Sequence, residues 1–313
     1  MMLSLLACFA VDADQDADSA LAPLDVRFDV PAVPDAGQQW ITPDIVVPAY
    51  ADQHTCIAGT YTGPDIGATQ IETFQAEGYG HHLLIWVGEL DPELYPDGTA
   101  FDCSNAAVMS GWLPIFIVHP DRTENGAFVA SADLPEGMGI SLENGTRTII
   151  QSHYLNTTDH DILTRDVINF DAIPAAEVER WAAAWGDGLT DMPLPPGEDT
   201  THAFDCTWPT DVNILYMFGH MHQHGTSFAL DHTQGGITTR PYEVTDWDPD
   251  FRDTPPLTEW QMPGYPVSAG DVFRTSCSFY NDTDKELNYP DEMCASSGIL
   301  YPSKTPIFCN PGD

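Results

Sequence analysis

Eleven histidines are spread unevenly along the 313 residues, and three places hold them at spacings that could bind a metal. His81 and His82 are adjacent, His153 lies in Gln-Ser-His-Tyr, and His220, His222 and His224 alternate in Gly-His-Met-His-Gln-His-Gly, residues 219–225. Imidazole nitrogen is a ligand for zinc, copper, iron and nickel. On a strand, residues two apart share a face with their backbones roughly 6.6–6.8 Å apart, a span that two rings can close onto one ion. Residues four apart are about 13 Å apart, too far for two bonds of about 2 Å without a bend. The 219–225 segment therefore offers one ion at most two neighbouring histidines, and Gly219 or Gly225 marks where the strand begins or ends. Met221, between the first two, faces the other way.

The adjacent pair poses the opposite problem, because consecutive strand residues point to opposite faces. Gly78-Tyr79-Gly80 just before it supplies permissive backbone for a bulge or strand entry that would turn both rings toward one ion. The third ligand in that half is His153, on the apolar run Thr148 to Leu155. His54, His119, His160, His202 and His232 stand alone in the sequence and are read as hydrogen-bonded or surface residues. Among the methionines, Met293 in Pro-Asp-Glu-Met-Cys is the candidate ligand, since a thioether favours Cu(I), although methionine usually fills cores. No Asp or Glu stands in an obvious facial-triad spacing with the histidines.

The elements that must carry these residues read as antiparallel strands. Short runs rich in Val, Ile, Phe, Tyr and Thr recur between Gly/Pro/Asn/Asp clusters: HHLLIWVGEL, PIFIVH, AFVASADL, TIIQSHYL and DVINFDAI, then FDCTW, VNILYMF, TSFALD, VFRTSCSFYN and SGILYP. The expected fold is all-β, two consecutive antiparallel β-sandwich domains of jelly-roll type. They are placed at residues 39–186 and 204–313, joined by a Gly/Pro-rich linker over 187–203. The stretch 175–185, AAEVERWAAAW, has helical spacing but reads equally as a strand end and loop.

Composition narrows the partners. Asp and Glu number 48 against 10 Lys and Arg, a formal charge of −38 that repels phosphate backbones and excludes nucleic acid as a partner. Residues 1–8 read as an export signal ending in Leu-Leu-Ala-Cys, similar to a bacterial lipobox, with Cys8 as the site of possible membrane attachment. Residues 9–38, rich in Asp and Ala, read as an acidic tether. Without Cys8 six cysteines remain, with no CxxC pair, so three disulfides in an extracytoplasmic, oxidising compartment are expected. Six cysteines allow 15 pairings.

The order His-His, Gln-x-His-Tyr, His-x-His, Glu-Met-Cys resembles the copper type II, ascorbate-dependent monooxygenases, the family of peptidylglycine α-hydroxylating monooxygenase and dopamine β-monooxygenase. The resemblance spans roughly residues 50–310. It implies two copper ions: one held by His81, His82 and His153, which receives electrons from ascorbate, and one held by His220, His222 and Met293, which meets O2 and substrate. It implies that the sites face an interdomain cleft, and it implies the disulfides Cys56–Cys103, Cys206–Cys309 and Cys277–Cys294. His224 is left as a supporting or surface residue. The arginine that binds a peptide carboxylate in amidating members is replaced by Phe218, and the Asn and Tyr after the methionine by Ala295 and Ser297. The substrate, a small molecule or something peptide-like, is thereby left open. The expected activity is C–H hydroxylation with O2. A non-catalytic copper protein for storage, delivery or sensing would have the same ligands, and a zinc hydrolase lacks a base near the histidines.

Overall fold

The computed structural model describes residues 22–88, 91–104, 113–118, 122–189, 191–252, 254–289 and 291–309. The apolar start with Cys8, and His119, lie outside them. The described chain is strand, turn and loop, with 3-10 turns at Ala175–Glu177 and Pro249–Arg252. No helix among the described residues is long and apolar enough to cross a membrane. The fold is an all-β sandwich, as its sequence pattern requires.

Among the described residues four sheets build it. One runs Ala100–Asp102, Asp52–Thr60, Arg147–Leu155, Gly80–Val87, Leu113–Val118 and carries the first histidine group. Across from it lies a twelve-stranded sheet whose first part includes Val167–Pro174, Ile66–Ala76 and Met138–Leu142, and whose second part includes Arg180–Leu189, Cys294–Tyr301 and Val212–His220. A four-stranded sheet, Asp199–Thr207, Val272–Tyr280, Gly225–Gln234, Ile237–Val244, covers that second part. A small three-stranded sheet completes the N-terminal half. Leu83, Ile85 and Ile150 meet Ile71 and Ile140 in one core, while Trp185, Ile214 and Met217 meet Phe228, Phe273 and Phe279 in another. Each such side chain contributes about 1.5–3 kcal/mol of burial.

The strand Arg180–Leu189 belongs to both cores. Ala182 and Ala184 enter the first, and Ala183 and Trp185 the second. Period-2 geometry sends alternate side chains to opposite faces, and both faces are covered, so Trp181 to Trp185 is uninterrupted by a polar residue. That is why 175–185 has helical spacing yet forms only the short 3-10 turn before the strand. Leu215, Ile299 and Tyr301 also reach from the C-terminal half into the first core.

Two segments expected to be loose are partly built into the sheets. The 187–203 segment is strand at both ends, to Leu189 and from Asp199, because Cys294–Tyr301 and Val272–Tyr280 supply its hydrogen bonds. The 9–38 segment joins the fold from Leu24, which pairs with Ile162, and Phe28 is buried against Phe74. The disulfides are Cys56–Cys103, Cys206–Cys309 and Cys277–Cys294.

Candidate metal centres

His153 sits at the centre of a rung across three adjacent strands, opposite His54 on one side and His82 on the other. Directly opposed residues bring their Cβ atoms to about 4.5–5.5 Å, so the three rings are neighbours by register alone. The next pair in that ladder is Tyr154 with Gly80, which leaves His81 as the extra residue of a β-bulge. The bulge turns His81 onto the same face as His82. Gly80 is required there, because a Cβ would lie 2.4 Å from that of Gln75.

The Nδ1 atoms of His81, His82 and His153 converge, at 2.9 Å for His81–His153, 3.2 Å for His81–His82 and 3.3 Å for His82–His153. A triangle of those sides has its centre about 1.8 Å from each nitrogen, close to the bond length of about 2 Å that one ion would need to be held by all three. The three rings stand steeply to one another, His81 at 73° and His82 at 68° to His153, which aims lone pairs inward instead of stacking them. The remaining nitrogen of His153, Nε2, lies 2.5 Å from Asp52 Oδ1. A carboxylate behind a ligating imidazole holds its orientation and raises its basicity. Burial pushes the His153 imidazole below its usual range against the opposing pull of Asp52, so the ring is neutral, as a metal ligand must be, near neutral pH.

His54, alone in the sequence, is not alone in the structure: its ring stacks on His153, 3.8 Å between centroids and 16° between planes. Its ring nitrogen lies close enough to those of His82 and His153 for the trio to resemble a ligand set. The stack argues against that role. Imidazole lone pairs lie in the ring plane, so a ring stacked nearly parallel on His153 does not aim its nitrogen at an ion held by His153. His54 therefore lines the site. Burial, reinforced by His153, pushes its imidazole down to about 4. Its strand, Asp52–Thr60, contains few β-branched residues and gives a weak signal; only the register with His153 reveals it.

The second group lies where Val212–His220 ends and a turn leads into Gly225–Gln234. The rings of His220 and His222 are 5.2 Å apart and nearly perpendicular. Met221 between them points into the core and is fully buried. His220 pairs with Ala295 in the last rung of that ladder, and Met293 lies two residues before Ala295, just outside the strand that begins at Cys294. Exposure alternates accordingly, with Met293 and Ala295 partly exposed and Cys294 and Ser296 buried.

Glu292, fully buried, fastens these segments together. Its carboxylate accepts the backbone N–H groups of His222 at 2.9 Å and His224 at 2.7 Å, and the Nδ1 of His222 lies 2.9 Å from the carbonyl of Asp291. That use of Nδ1 assigns Nε2 of His222 to any metal. Burial raises the Glu292 carboxyl to about 7 against those backbone donors. His224 turns aside to Asp282, 3.0 Å away. His232 is a hydrogen-bonded core residue between Tyr265 and Asp271.

Arg252, unmarked in the sequence, is a minor electrostatic neighbour of both groups. Its positive charge acts on Asp52, His54 and His153 on one side and on Glu292 on the other. Its 3-10 turn is held to the His222 loop by Trp247, whose indole N–H donates to the His222 carbonyl and whose ring meets Phe251 edge-on. Elsewhere, a recess of about 550 Å³ beside Trp181, Tyr301 and Lys304 contains no histidine.

No family model matches the chain, and no curated protein does. Among solved structures, it is similar at 7% identity to a putative secreted protein from Eubacterium rectale, over 87% of this chain and 71% of that one, with a TM-score of 0.23. A chain of the Sputnik virophage structure gives 7% identity, 96% and 92% coverage and a TM-score of 0.23. The infectious bursal disease virus VP2 subviral particle gives 9%, 90% and 74%, and 0.21. Overlaps this weak carry no functional reading.

Proposed function

We propose that this protein is a copper-dependent monooxygenase that hydroxylates a C–H bond of an organic substrate, using O2 and a one-electron reductant such as ascorbate. The observation that carries the reading is the convergence of three Nδ1 atoms, from His81, His82 and His153, on one point. Support comes also from the different character of the second group, two imidazoles beside a thioether-bearing segment. Two copper ions, when bound, would supply electron storage at the first site and O2 reduction with oxygen insertion at the second.

The chain's own residues have distinct tasks in this reading. Asp52 orients His153, and the bulge at His81 presents two adjacent histidines to one ion. Glu292 and Asp291 hold His222 against the strand end that bears Met293. Phe218, buried two residues before His220, is apolar where amidating members of the resembled family place arginine. Three disulfides fit an oxidising, extracytoplasmic location; attachment to a membrane through a lipidated Cys8 is part of the proposal, tested by labelling with a fatty-acid analogue in wild type and Cys8→Ser.

The test is metal analysis with oxygen uptake. The protein reconstituted with Cu(II) should bind two ions and consume O2 with ascorbate and a C–H substrate panel, and Met293→Ala should lose that turnover while keeping the first ion. Two bound coppers with no Met293-dependent turnover would assign a copper storage, delivery or sensing role instead. One zinc and no copper would overturn the reading.

A further inference from the structure

In the C-terminal half, away from the histidine groups, a tyrosine, a histidine and an acid are joined in line. The Tyr265 hydroxyl lies 2.7 Å from Nδ1 of His232, and Nε2 of His232 lies 2.9 Å from Asp271 Oδ2. His232 and Asp271 are buried, and Tyr265 is half-buried. Tyr265 pairs with Ile214 on the strand Val212–His220, so about 20 Å of strand separates this line from His220. The acid end fixes where the protons are. Asp271 Oδ2 takes the Ser268 backbone N–H at 2.8 Å and the Gln234 side-chain amide at 2.9 Å as well as Nε2 of His232. Burial opposes ionisation, yet those donors hold the carboxyl below its usual range. An ionised acceptor keeps a proton on Nε2, and a neutral imidazole then has only a lone pair at Nδ1. The Tyr265 hydroxyl therefore donates to His232, and its oxygen accepts from Thr239, 3.3 Å away. Tyr61, Tyr242 and Tyr301 donate instead to the backbone carbonyls of Pro64, Pro256 and Pro263, which do not take up a proton.

We propose that Tyr265 is a redox-active tyrosine, which gives one electron to a small oxygen-centred radical while its phenolic proton passes to His232. A phenol that loses an electron becomes a strong acid, so its oxidation is easy only where a base already holds its hydrogen. In the step, the phenolic O–H bond breaks and an Nδ1–H bond forms on His232; the oxidant is reduced to its anion, and the imidazolium stays between the neutral phenoxyl radical and Asp271. A one-electron reductant such as ascorbate then gives the electron back, and His232 returns the proton. The neighbouring rings show what such a site would spare. Trp260 lies 5.1 Å from the Tyr265 ring, and Phe273 lies 5.1 Å from both His232 and Trp208, which is itself 5.5 Å from Trp185. Trp185 and Trp208 are buried, so an oxidising equivalent resting on them is out of reach of a dissolved reductant, whereas half-buried Tyr265 meets solvent. No metal takes part, and the proposal stands apart from the copper reading.

The experiment oxidises the full chain, without added metal, by photogenerated tris(bipyridine)ruthenium(III) and follows the product by EPR and transient absorption. Wild type should give a tyrosyl radical that ascorbate removes. Tyr265→Phe should lose most of that radical and move oxidation to Trp260, Trp208 and Trp185, as read by peptide mapping. His232→Gln should slow radical formation by about 100-fold, the lower end of what a positioned proton acceptor contributes, and Asp271→Asn should fall between. A solvent deuterium isotope effect on the wild-type rate, absent from His232→Gln, separates proton transfer from a loss of packing. A wild-type radical yield in Tyr265→Phe, or a wild-type rate in His232→Gln, would overturn the proposal. If His232→Gln does not fold, Tyr265→Phe, which keeps the ring in place, decides alone.

Discussion

The carboxylate of Glu292 accepts the backbone N–H of His222 at 2.9 Å across seventy residues of chain, and its other oxygen takes that of His224. One buried side chain thereby closes the histidine turn against the segment that carries Met293. Removing it leaves two backbone donors without their acceptor, each costing about 1–3 kcal/mol where water cannot replace it. Glu292→Ala should lower thermal stability and weaken copper at the second site by about 10–100-fold, the range seen when groups that orient metal ligands are lost. Glu292→Gln, which retains an acceptor oxygen, should fall between. Calorimetry and Cu(I) titration against a chelator measure the two effects, with the three-histidine site as internal control.

At the first site the equivalent support is Asp52 on Nε2 of His153. Asp52→Asn should weaken the ion there by about 10–100-fold while leaving the second ion in place. Competition with a copper chelator distinguishes the two, and equal weakening at both sites would contradict this assignment.

Asp187 gives a pH signature independent of any metal. It is buried, accepts hydrogen bonds from the Ser296 backbone and hydroxyl and from Thr275, and burial nevertheless raises its carboxyl to about 6 from an ordinary 3.8. The folded state thus holds the proton more tightly than the unfolded chain. Its stabilising contribution is complete below about pH 4 and is lost as pH rises through about 6, with a slope of at most roughly 1.4 kcal/mol per pH unit. Asp187→Asn should remove that slope between pH 4 and 6 in urea unfolding curves. A steeper slope in the variant would show that another group dominates.

Cys294 adjoins Met293 and is tied to Cys277 across 17 residues, whereas Cys56–Cys103 stands in the other half. Replacing Cys277 and Cys294 with alanine should cost about 2–4 kcal/mol. It should weaken copper at the second site while the three-histidine site keeps its ion, as read by EPR after copper titration. Loss of the first ion alone would reverse the expected order.

The strands were legible wherever one face is buried and turn residues bound the run, which covers most of the sheet-forming segments. Asp52–Thr60 was not, because DQHTCIAGT lacks the apolar alternation, and His54 was missed with it. The bulge at His81 was foreshadowed by two glycines and an unusual His-His pair. Glu292 stood in the Glu-Met-Cys motif without a role of its own, since an acidic residue beside a methionine reads as surface, and Arg252, in an irregular turn, gave no signal. Their roles depend on contacts or fields between residues far apart in the chain. The two-faced strand Arg180–Leu189 was ambiguous for a different reason, since burial on both sides erases the period that separates strand from helix.

That strand also determines what can be cut from this molecule. Because alternate residues from Ala182 to Trp185 are anchored in different cores, neither half keeps a finished wall once it is severed. A fragment starting at residue 204 would present Leu215, Ile299 and Tyr301 to water, and one ending at 186 would lose the same three as packing partners. The halves are therefore expected to melt in a single transition and to resist expression apart. The spacing between the histidine groups is then a property of one continuous backbone, inherited intact or not at all.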